Sequence, residues 1–127
     1  MTLAPGLRAS MLIMVEREDT AQKLGSGDVP VLATPRLVLL AEMCTMQALR
    51  PHLEPGQTTV GTRVEVEHLA ASLLGAHVEI STELVQVEGR RLVFAFVARE
   101  RDLVVGRGTV ERALVDREKF LSRAASR

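Results

Sequence analysis

"PRLVLLAEMCTMQAL", residues 35–49, decides how the rest of the chain is read. Thr34 before it is a good N-cap, and Pro35 suits the first helical position, where its missing N–H loses nothing. No glycine or further proline interrupts the run until "PHLEPG", residues 51–56, stops it. The pattern predicts one long helix. That helix is apolar nearly all round, so it is expected to be buried on most sides and not to lie on a surface. In a chain of 127 residues, such a helix points to a curved sheet wrapped around it. Its one carboxylate near the middle, Glu42, then needs a reason to be there, because burying a charge is expensive.

The segments on either side of the helix read as strands. Leu7, Ala9, Met11, Ile13 and Val15 alternate onto one face of a first strand. Residues 16–30 are polar, turn-rich and aperiodic, and predict a loop with one short helical turn. In "TTVGTRVEVEHL", Val60, Thr62, Val64 and Val66 alternate with Gly61, Arg63, Glu65 and Glu67, which puts the valines on the core side. "HVEISTELVQV" and "RLVFAFVARE" are joined by "EGR", a glycine-containing hairpin signal. A turn near Arg101 and Asp102 leads into "DLVVGRGTVERALV", where Gly106 and Gly108 mark a bulge or a close backbone approach. Residues 117–127 form a charged tail, read as a short helix anchored by Phe120. The order β–α–β–β–β–β gives an α+β fold of the hot-dog type: a curved antiparallel sheet around one long central helix. Residues 1–127 form a single domain in this reading.

Composition narrows the function. Hydrophobic residues make up 46% and charged residues 25%, as in an ordinary globular protein. Sixteen basic and sixteen acidic residues cancel, so neither a nucleic-acid partner nor a membrane-surface partner is expected. Only Phe94, Phe96 and Phe120 are aromatic, too few for base-stacking platforms. The single cysteine, Cys44, excludes an internal disulfide and fits a reducing cytoplasm. "MTLAPGLRAS" lacks the pattern of a secretion signal, and no apolar run reaches the roughly 18–20 residues that span a bilayer.

Three residues stand out as chemistry. Glu42 comes eight residues, about two turns, after Thr34. It either faces water or pairs with a basic group, or it is a desolvated carboxylate, which is a stronger base and nucleophile than one in water. His68 ends the second strand on the face of Val64 and Val66, either as a structural residue or as a general acid–base. Thr34 is the expected N-cap, and a hydroxyl there also sits beside unpaired N–H groups that favour developing negative charge. Cys44 reads as core, and His52 and His77 as solvated. The paired arginines 90–91 and 99–101 read as hairpin charges or as phosphate partners. The three histidines lack zinc-ligand spacing, and no P-loop, GxGxxG, GxSxG or HExxH pattern occurs.

The chain from about Val31 to Phe120 resembles the fluoroacetyl-CoA thioesterases and their hot-dog relatives. The matching segments are "VLAT", the helix with its central "AEMC", "PHLEPG", "VGTRVEVEH", "VEGRR" and "GRGTVERALVDREKF", in order and at similar spacing. The resemblance implies catalytic roles for Thr34, Glu42 and His68, and substrate-binding roles for Gly61 and Arg112. It further implies hydrolysis of a small or medium acyl-CoA thioester with no cofactor and no metal. The implied assembly is a homodimer, with a tetramer open, in which two sheets join edge to edge and the sites lie between subunits. In one respect the chain departs from the pattern. Fluoroacetyl-specific enzymes carry aromatic lid residues before the helix, whereas "LGSGDVPVLA" has none.

In the mechanism this implies, Glu42 either attacks the thioester carbonyl or activates a water, His68 shuttles a proton, and Thr34 orients Glu42 or the water. The alternative is a non-catalytic acyl-CoA-binding or sensing module on the same fold. A hydratase, or a structural dimer in which Glu42 and His68 satisfy each other, are further readings.

Overall fold

The computed structural model describes residues 3–127. Strand β1 runs Arg8–Met14, and a 3₁₀ turn at Arg17–Asp19 leads to the one-turn helix α1, Ala21–Leu24. The long helix α2 follows, Thr34–Leu49. Four strands come next: β2 Gln57–His68, β3 His77–Glu88, β4 Arg91–Glu100 and β5 Leu103–Asp116. Helix α3, Arg117–Ala125, ends the chain. All neighbouring strands are antiparallel, in the order β1-β3-β4-β5-β2. The hot-dog fold expected from the sequence is the one observed, with α2 packed on β1, β3, β5 and β2. Among the described residues no helix is long and apolar enough to cross a membrane.

The core lies between α2 and the inner face of the sheet. Leu37, Leu40 and Cys44 meet Val78, Ile80, Ala98 and Val105 at one end. Ala41, Ala48 and Leu49 meet Leu84, Leu92, Phe94, Phe96 and Val110 at the other. Each large apolar side chain fully buried here contributes about 1.5–3 kcal/mol, so the helix is held by packing more than by its own propensity. The close approach expected in β5 is real: a Cβ at Gly106 would come within 2.7 Å of Leu37 Cδ2.

Four expectations need correction. First, five strands do not enclose the whole helix. Leu39 and Met43 remain 43% and 45% exposed, which leaves one apolar face of α2 open with Glu42 at its edge. Second, Ala33 and not Thr34 occupies the N-cap, and it supplies no side-chain cap; Thr34 is the first helical residue and Pro35 the second, one position later than expected. Third, the register of β2 against β5 slips between Gly61 and Arg63, one extra residue on β2. Such a bulge inverts the alternation. Thr59, not Val60, is therefore buried ahead of it, while Val64, Val66 and His68 keep the inward phase after it. Fourth, α3 forms, capped by Asp116, but buries no residue, and Phe120 is exposed. It does not anchor the tail.

Candidate active site

Glu42 sits mid-helix because residues 37, 40, 41 and 44 take the buried face, which leaves position 42 at its border. Its side chain is 33% exposed and pairs with Arg112, whose Nη1 lies 3.3 Å from Oε2. Arg112 comes from β5 and is only 7% exposed. Its Nε donates to Thr59 Oγ1 at 2.8 Å, and its Nη2 donates to the Thr59 carbonyl at 3.3 Å. Burial disfavours the charged guanidinium, and the Glu42 carboxylate beside it opposes that effect. Glu42 is thus not a lone carboxylate in an apolar cleft, and its partner is not His68.

Gly61 lies opposite Arg112 in the β2–β5 ladder. A Cβ at this position would collide with Glu42 Oε2, so only glycine leaves room for the carboxylate here. Glu42 and Arg112 line a cleft of about 340 Å³ whose other walls include Met11, Leu39, Met43 and Met46. These are flexible apolar side chains with no aromatic among them.

Thr34 and His68 meet at the other end of the helix. Thr34 Oγ1 and His68 Nδ1 share a hydrogen bond of 2.7 Å. That bond, and not an N-cap, is where the Thr34 hydroxyl is used. His68 Nε2 is buried and has no hydrogen-bond partner among the described residues. Burial holds the imidazole below the ordinary histidine range, so it is neutral at neutral pH and one ring nitrogen can accept a proton. The pair lines a second cleft, of about 540 Å³, with residues of the α1 loop and of 69–71.

Within one chain, therefore, Glu42, Gly61 and Arg112 are together, and Thr34 and His68 are together, in two clefts. Eight residues of helix separate the two parts by about 12 Å along its axis. Cys44 is fully buried, and its thiol is pushed up to about 11 by burial, which suits core and not nucleophile. His77 is exposed on the outer face. Among the described residues no group of three or more His, Cys, Asp or Glu is placed to hold a metal ion. Sequence reasoning missed Thr59. The glycine two residues later, isolated in a strand pattern, was the available sign of a bulge that would turn Thr59 inward.

The family model described as FlK, fluoroacetyl-CoA-specific thioesterase, matches residues 15–118. A fluoroacetyl-CoA thioesterase of Streptantibioticus cattleyicolor is 42% identical over 90 residues, which span 71% of this chain and 65% of that relative. A solved structure of the fluoroacetyl-CoA thioesterase FlK superposes with a TM-score of 0.90 at 33% identity, over 100% of this chain and 98% of that one. A hot-dog-like protein from Thermanaerovibrio acidaminovorans superposes with a TM-score of 0.89 at 25% identity, over 96% and 90% of the two chains.

Proposed function

Because the chain belongs to the fluoroacetyl-CoA-specific thioesterase family, we propose that it hydrolyses an acyl-CoA thioester through Thr34, Glu42 and His68, without a metal. The observation that carries this reading is Glu42: a part-exposed carboxylate held from behind by a buried Arg112, beside an apolar cleft and a strand bared at Gly61.

Arg112 engages Oε2, so the other carboxylate oxygen is the one that meets the substrate. In one version that oxygen attacks the thioester carbon and the CoA thiolate leaves, giving an acyl–glutamyl anhydride that water then cleaves. In the other, Glu42 takes a proton from a water that attacks directly. Either way, backbone at Gly61 approaches the thioester, and the neutral His68 relays to the departing CoA thiolate the proton that the attacking water gives up. Thr34, bonded to Nδ1, holds the ring's orientation and leaves Nε2 for the proton relay.

The separation of the two clefts supports a site shared between two copies in a homodimer. In such a dimer, a twofold axis beside the open face of α2 would bring one copy's Thr34–His68 pair toward the other's Glu42. The substrate is a small or medium acyl-CoA. The methionine-lined cleft and the loop without aromatics give no support for discrimination of a fluorinated acyl group. The reading also keeps the protein in the cytoplasm.

The test is thiol release from a panel of short, aryl and long acyl-CoAs by wild type and Glu42→Gln. Turnover that falls at least about a hundredfold in the variant, with melting unchanged, supports the reading. Saturable binding of CoA esters by both proteins with no turnover would replace it with a binding module.

A further inference from the structure

Strand β2 carries one inward polar side chain that the proposed chemistry does not use. Thr59 is 4% exposed and lies two residues before Gly61, on the face that the bulge turns inward. Its hydroxyl donates to Met46 Sδ at 3.2 Å, and Met46 stands one turn beyond Glu42 on α2. With its only proton spent there, the hydroxyl oxygen accepts from Arg112 Nε at 2.8 Å, and the Thr59 carbonyl accepts from Nη2 at 3.3 Å. Two of the three guanidinium nitrogens are thus committed to a single residue. The third, Nη1, is the one that faces Glu42 Oε2 at 3.3 Å.

A guanidinium is planar, so fixing Nε and Nη2 fixes where Nη1 points. Without that clamp, the plane of Arg112 could turn about its last torsions, and Glu42 would lose a fixed partner behind it. We propose that Thr59 is a positioning residue for the reaction: it aims Arg112 at one oxygen of Glu42 and so orients the other toward the substrate. The inference rests on the reading of Glu42 as the acting carboxylate. Thr59 bonds Arg112 and Met46, and it does not line the cleft.

The experiment compares Thr59→Val, which keeps the shape and removes the hydroxyl, with Thr59→Ser, which restores it. Thr59→Ala serves as a second deletion should the valine variant not fold. Hydrolysis of the best acyl-CoA is followed together with hydrogen exchange at Arg112 Nε–H in arginine-labelled protein. Loss of a hydrogen bond to a charged group is expected to lower kcat about tenfold to a hundredfold in the valine and alanine variants, with KM within about twofold. Their Arg112 Nε–H exchanges fast, and the serine variant recovers both kcat and slow exchange. A folded Thr59→Ala or Thr59→Val with wild-type kcat, or with Nε–H still protected, overturns the role of Thr59 alone. A wild-type protein that hydrolyses no thioester overturns the reading of Glu42, and this role with it.

Discussion

Arg112 Nη1 lies 3.3 Å from Glu42 Oε2, which joins the last strand to the middle of the helix. The arginine is buried and the carboxylate is wet, so the pair is a fixed cation behind a reachable anion. Lysine cannot replace this arginine, because one ammonium cannot serve Glu42 and both acceptors of Thr59 in the same fork. Arg112→Lys is expected to lose about 1–3 kcal/mol of stability in urea titration and at least about tenfold in kcat. Unchanged turnover in a folded variant would remove Arg112 from the site.

Gly61 makes a sharper test, since its backbone does not require glycine and only the missing Cβ matters. Gly61→Ala places a methyl group where Glu42 Oε2 now lies. The carboxylate must move, so acyl-CoA hydrolysis should fall at least about tenfold, mainly in kcat, with the fold retained by circular dichroism. Full activity would mean that the position of Oε2 is irrelevant to turnover.

A site shared between copies can be tested by mixing two dead proteins. In a heterodimer of Glu42→Gln with His68→Ala, one shared site has both intact residues and the other has neither. Refolding the two together is expected to recover about a quarter of wild-type activity, half of the dimers being mixed with one working site each. No recovery would place both residues of a working site on one chain.

His68 also makes a prediction about stability. Burial holds it below the ordinary histidine value of 6.5, so below that value the unfolded chain binds more protons at this residue than the folded one. Its contribution is complete above about pH 6.5 and is lost as pH falls toward the folded value. Wild type should therefore lose more stability than His68→Gln between about pH 7.5 and pH 5.5, read as urea midpoints. Equal losses in the two proteins would mean that His68 is not shifted.

Much of this architecture was legible because it is written in local patterns. The long helix announced itself by an uninterrupted apolar run between Thr34 and "PHLEPG", and the β3–β4 hairpin by "EGR" between two alternating segments. The glycines of β5 signalled a close approach that Leu37 makes real. Thr34, Glu42 and His68 were singled out by residue type, by place in the pattern and by family resemblance. Their partners were not readable. One extra residue in β2 reverses which side chains face inward, and the lone Gly61 in "TTVGTRV" signals a bulge without saying which buried group Thr59 then meets.

The sequence by itself determined where the helix and strands lie, because turn chemistry and hydrophobic period act between near neighbours. Only the tertiary structure decided that Glu42 belongs to Arg112 and Thr34 to His68, 70 and 34 residues away along the chain. Those pairings follow from strand order and register. β5 lies beside β2, the bulge turns Thr59 inward, and the buried guanidinium takes the acceptors within its reach. A buried polar group must find a partner, and which one it finds depends on how distant segments are brought together, not on what stands next to it in sequence.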